Sequence, residues 1–89
     1  MPLVVTVVSR KGCHLCEKVV AALGSLSPRY DLDVRVLDIS HDAKLMNKYF
    51  LTIPVVQIGG NDVFDGRDMT VDMGYVSKLE QVLKSQRPS

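Results

Sequence analysis

The sequence has no tryptophan, only two cysteines, and 6% aromatic residues among its 89 positions. Two cysteines cannot build the bridge framework that holds small secreted domains together, so stability has to come from a hydrophobic core. Excess charge of one sign is missing too: Lys+Arg number 11 against Asp+Glu 10, for a net +1. The basic residues are scattered from Arg10 to Arg87, and without a cationic stripe to follow a phosphate backbone, a nucleic-acid partner is not expected. Long hydrophobic runs are absent. The longest, Leu3 to Val8, is interrupted by Thr6 and falls far short of the roughly 20 residues that cross a bilayer. Arg10 and Lys11 follow that run, whereas a secretory leader carries its basic residues ahead of the apolar stretch. No membrane association and a cytoplasmic location are therefore expected. In that reducing setting a cysteine pair is more often reactive or metal-binding than a structural bridge.

What is present is 46% hydrophobic and 24% charged residues, the composition of one small globular domain. A chain of this size buries only roughly 60–65% of its unfolded surface, which calls for one compact core. We expect a monomeric domain over residues 1–85 and a flexible tail over 86–89.

Leu3 to Val8 is β-branched and of strand length, and it stops at Ser9-Arg10-Lys11-Gly12, where polar residues and glycine break it. From Cys13 the apolar positions Leu15, Val19, Ala22, Leu23 and Leu26 recur at helical spacing. This predicts a helix over 13–26, ended before Ser27-Pro28 because proline disfavours helix in the residue ahead of it. Leu32 to Leu37 alternates apolar and charged residues as a strand would, and Ser40 is placed to cap a short helix carrying Ala43, Met46, Tyr49 and Phe50. Ile53 to Ile58 and Asp62 to Phe64 flank Gly59-Gly60-Asn61, a turn composition that predicts an antiparallel hairpin. A last helix over 70–85 is read from Val71, Tyr75, Val76, Leu79, Val82 and Leu83, with Gly74 weakening its first turn by about 1 kcal/mol. The order is βαβ followed by ββα. A right-handed crossover and a hairpin added to the same sheet give an α/β fold with a four-stranded mixed sheet and three helices.

Chemistry is concentrated in Cys13-His14-Leu15-Cys16, where the first strand hands over to the first helix. Free amide N–H groups and the positive dipole end of a helix N-terminus favour a thiolate at Cys13, the form that attacks disulfides. Cys16, three residues on, lies on the same helix face and can attack a mixed disulfide formed on Cys13. Two other readings stand beside this one. The cysteines could be ordinary buried thiols in a binding or adaptor domain. They could also carry a metal or an Fe–S cluster through Cys13, but zinc in a structural site wants four ligands, and only His14 and His41 could join the pair. His14 is covalently adjacent to Cys13 and His41 starts another helix, so no intrachain metal is expected.

The run Val7 to Cys16, taken with Thr52-Ile53-Pro54, resembles a glutaredoxin-like member of the thioredoxin superfamily, and the resemblance covers nearly the whole chain. It implies the thioredoxin fold and a thiol–disulfide oxidoreductase whose catalytic residues are Cys13 and Cys16. A disulfide-containing protein or a glutathione mixed disulfide would be the partner, with no bound cofactor and with glutathione available as reductant. It also implies a cis proline at Pro54, and a backbone at Ile53 that pairs with substrate in β-fashion. Arg10 stands in the place of a lysine that contacts the carboxylate of glutathione. His14 and Leu15 replace the family's usual Pro-Tyr, and His14 adds an ionisable ring beside the nucleophile. Gly66 and Asp68 match part of the loop that holds the γ-glutamyl end of glutathione, but Asp65 takes the place of its first glycine. On that ground weak glutathione activity is expected.

Overall fold

The computed structural model describes residues 2–70 and 74–86. The chain runs β1 (Leu3–Ser9), α1 (His14–Tyr30), β2 (Leu32–Asp38), α2 (Ala43–Tyr49), β3 (Val55–Ile58), β4 (Asn61–Phe64), α3 (Arg67–Thr70) and α4 (Tyr75–Gln86). The strands form one mixed sheet in the order β2-β1-β3-β4. β1 and β2 are parallel, which requires the crossover that α1 supplies. β3 runs antiparallel to β1 and to β4, with a register shift between Val56 and Gln57.

Strand alternation divides the core into two layers. Val5 and Val7 of β1 join Val56, Ile58 and Phe64 against Val19, Leu23 and Leu26 of α1 and Leu79 and Leu83 of α4. On the opposite face Val8 and Val55 meet Ile39 and Tyr49, with Leu45, Met46 and Ile53 packed beside them. Helices therefore cover both faces of the sheet, and none of those described is long and apolar enough to cross a membrane.

Several boundaries differ from the sequence reading. α1 does not stop at residue 26: it runs to Tyr30 with Pro28 inside it, and ends at Asp31, whose left-handed backbone (φ 53°) directs its N–H to the Ser27 carbonyl. Proline loses one helical hydrogen bond, here the one to the Gly24 carbonyl, and because both residues are exposed the carbonyl deprived of its donor is not buried. The cap of α2 is Asp42, whose carboxylate accepts from the Leu45 N–H at 3.1 Å. Ser40 is not that cap, because its hydroxyl oxygen accepts instead from the Lys11 N–H, at 3.0 Å. Of the apolar residues assigned to α2, Tyr49 is buried while Ala43 and Phe50 are exposed.

The hairpin turn is Gly59-Gly60, both at positive φ, and Asn61 already belongs to β4. Helices number four among the described residues, where three are expected from the sequence. Asp65 and Asp68 explain the addition by reciprocal capping: the Asp65 carboxylate accepts from the Arg67 N–H, and the Asp68 carboxylate accepts from the Asp65 N–H, both at 2.9 Å. This closes a separate turn, α3, ahead of α4. Val71 falls outside the described residues. Gln86, assigned to the tail, is instead the last residue of α4.

Candidate functional site

β1 ends beside the start of β3, since Val8 is in register with Val55. The loop after β1 and the Thr52-Ile53-Pro54 corner before β3 therefore meet at one end of the sheet. Gly12, at φ 75°, turns the first of these into α1. That turn places Cys13 at the helix N-cap, where its backbone is extended and its sulfur accepts from the Cys16 N–H at 3.1 Å.

Cys13 and Cys16 are joined by a disulfide, with their Cα atoms 5.2 Å apart. Their surroundings are unequal. Cys13 is half-buried, whereas Cys16, on the buried face of α1, is 2% exposed. An incoming sulfur can reach only the first, and the helix N-terminus offers its free N–H groups to whatever charge develops there. The loop ahead of Cys13 is tied down from a distant part of the chain. Ser40 accepts from the Lys11 N–H, and in turn donates its own N–H to the Asp38 carboxylate at 2.9 Å. Hydrogen bonds from the Ser40 side chain and backbone hold the Asp38 carboxyl below its ordinary range.

The corner before β3 is built on main-chain bonds. The Tyr49 carbonyl accepts from the Thr52 N–H at 2.8 Å and from the Ile53 N–H at 3.0 Å, and it also takes the Thr52 hydroxyl at 3.2 Å. The Ile53–Pro54 peptide is cis and Pro54 is buried. The Ile53 N–H is committed to the Tyr49 carbonyl. Gly66 presses on the same corner: its N–H donates to the Thr52 carbonyl at 2.8 Å, and an added Cβ would stand 2.5 Å from the Ile53 carbonyl oxygen.

The other expected site residues have the following partners. His14 projects into solvent, its Nδ1 3.8 Å from a Glu17 carboxylate oxygen. Arg10 joins Lys44, Met46 and Phe50 around an open cleft of about 710 Å³. Asp68 accepts from the Asp65 N–H and forms an ion pair with Lys78 of α4. Asp65 is gripped by the Arg67 guanidinium, 2.7 Å from one carboxylate oxygen, and that hydrogen bonding keeps its carboxyl below the ordinary range. Sequence reasoning missed Lys78, Ser40 as a tether, and the Tyr49 carbonyl. No local signal marks the first two, since Lys78 is ten residues from Asp68 and Ser40 is 29 from Lys11. Among the described residues, no group of three His, Cys, Asp or Glu side chains is arranged to hold a metal ion.

Comparison with known proteins agrees with this geometry. No curated protein sequence matches the chain. Thioredoxin 1 from the thermophilic eubacterium Thermosipho africanus TCF52B superposes with a TM-score of 0.58 over 94% of this chain and 98% of its own. At 14% identity that likeness speaks for the thioredoxin fold alone. The family model described as Glutaredoxin-like domain (DUF836) matches residues 4–86. With its Cys13/Cys16 pair at the head of α1, the chain belongs to the glutaredoxin-like domain family, on the thioredoxin fold.

Proposed function

We propose that the protein is a thiol–disulfide oxidoreductase that reduces disulfides in other proteins through Cys13 and Cys16. The observation that carries this reading is the unequal exposure of two bonded cysteines at a helix N-terminus. In the reduced protein the Cys13 thiolate attacks one sulfur of a substrate disulfide. A mixed disulfide forms and the other substrate sulfur leaves as a thiolate that takes up a proton. Cys16, having lost its own proton, then attacks the Cys13 sulfur. The second substrate thiol is released, and the electron pair given to the substrate is balanced by the Cys13–Cys16 disulfide. An external thiol reductant restores the dithiol.

Protein disulfides are favoured over glutathione mixed disulfides by the loop at Asp65. Glutathione brings an ammonium group that needs a free carboxylate, and Asp68 is already engaged by Lys78 and the Asp65 N–H. Asp65 is held by Arg67.

The test is Cys16→Ser. Without the resolving thiol Cys13 still attacks but cannot release its substrate, so mixed disulfides with protein substrates accumulate, visible as reductant-sensitive adducts. Reduction of a glutathione mixed disulfide by the same variant should stay weak. Rapid glutathione turnover would reverse the substrate preference, and Cys13→Ser as active as the wild type would remove the oxidoreductase reading altogether.

A further inference from the structure

The outer side of β2 pairs with no strand among the described residues. Its register with β1, together with bonds from the Leu3 N–H to the Asp31 carbonyl and from the Ile39 N–H to the Ser9 carbonyl, decides which main-chain groups face outward. Odd-numbered residues of β2 turn theirs to β1, so Leu32, Val34, Val36 and Asp38 turn theirs away. Ser27 donates its hydroxyl to the Leu32 carbonyl, which occupies one acceptor site of that oxygen and leaves its second, with the main-chain groups of Val34, Val36 and Asp38, along the edge. The flanking side chains are apolar and wet: Val36 is 54% exposed and Leu37 42%. On the face that carries Leu37, the Arg35 guanidinium sits 2.9 Å from the Asp33 carboxylate.

We propose that this edge pairs with β2 of a second copy of the chain, antiparallel, about a two-fold axis at Val34. The two four-stranded sheets would then become one continuous sheet. This departs from the monomer expected of the sequence.

Charge complementarity selects that axis. Antiparallel pairing sets outward-facing residues opposite one another, which allows axes at Asp33, Val34, Arg35, Val36 or Leu37, the last setting Arg35 against Ile39. The first places Asp33 against its own copy and the third places Arg35 against its own copy, both unfavourable. An axis at Val36 sets Arg35 against Leu37. Only the axis at Val34 puts Asp33 opposite Arg35, twice by symmetry, at the non-hydrogen-bonded positions where side chains come closest. The same register lines Val34 against Val34 and Leu32 against Val36 on the other face. Like charges along an edge would repel a copy in every register. The alternation of Asp33 and Arg35 repels in two and attracts in one.

The experiment is sedimentation or light scattering of the reduced full chain over a concentration series, with circular dichroism to verify folding. The wild type should pass from monomer to dimer. Arg35→Asp and Asp33→Arg each set like charges across the axis, and each should weaken dimerisation by roughly tenfold or more. Mixing the two variants is decisive. One chain then supplies two acidic side chains and the other two basic ones, so dimers should reappear although the pair within each chain stays broken. A wild type still monomeric at about 1 mM, a mixture that does not reassociate, or assemblies larger than two chains would overturn the proposal.

Discussion

Gly66 shows how much a single missing side chain can decide. Its N–H holds the Thr52 carbonyl, and a Cβ there would meet backbone atoms of Ile53 and Thr52, the nearest at 2.5 Å. Backbone cannot rotate aside as a flexible side chain can. Gly66→Ala should therefore cost about 1–3 kcal/mol, read as a thermal midpoint lowered by roughly 4–8 °C per kcal/mol in a domain of this size. An unchanged melt would mean that the loop yields freely. Asp65, one residue earlier, supplies a pH dependence. Its carboxyl is held below the ordinary value of 3.8, chiefly by hydrogen bonds from Arg67. The stability it contributes is thus complete above about pH 4 and is lost as pH falls through its lower value in the folded state. Asp65→Asn should flatten the acid limb of a stability-against-pH curve below pH 4 without changing its shape near neutrality, a comparison that urea melts across the range can make. Cys13 and Cys16 were legible in the sequence because their spacing and their place after a strand are local facts. The partners of Asp68 were not, because Lys78 reaches it only once α4 has docked.

The elements divide along the same line. The β3–β4 hairpin was legible from Gly59-Gly60 between two apolar runs, and α1 from its apolar spacing. The end of α1 was not, because proline propensity is a local rule and the exposure of Pro28 is a tertiary fact. The sequence reading makes Ser40 the cap of α2, but Asp42 two residues on is of an equally favoured capping type, so propensity does not separate them. The tether to Lys11 engages Ser40 elsewhere, and Asp42 accepts from the Leu45 N–H. Asp42→Ala should then cost about 1 kcal/mol, measured as a shift of the denaturant midpoint with the slope unchanged. If Ser40→Ala lowers the midpoint and Asp42→Ala does not, the capping assignment is wrong.

At the scale of the molecule, α1 is the element on which the sheet and the sulfurs both depend. Leu23 is fully buried between β1, β3 and α4, and Leu23→Ala should lose about 2–5 kcal/mol, the range set by how far the surroundings collapse into the cavity. Urea unfolding of the oxidised and the reduced protein would measure it. A loss under 1 kcal/mol would mean that this layer is loosely packed.

Strand and helix periodicity, the glycine turn and the cysteine spacing determined the βαβ-ββα order, the antiparallel hairpin and the Cys13/Cys16 pair, because each is expressed within a few consecutive residues. The sheet order β2-β1-β3-β4 sets the end of β1 beside the start of β3. Tertiary structure alone decided which polar residue caps α2, that Lys78 engages Asp68, and that β2 lies at an open edge. Those outcomes depend on contacts between residues far apart in the chain, and such contacts exist only after the core has closed.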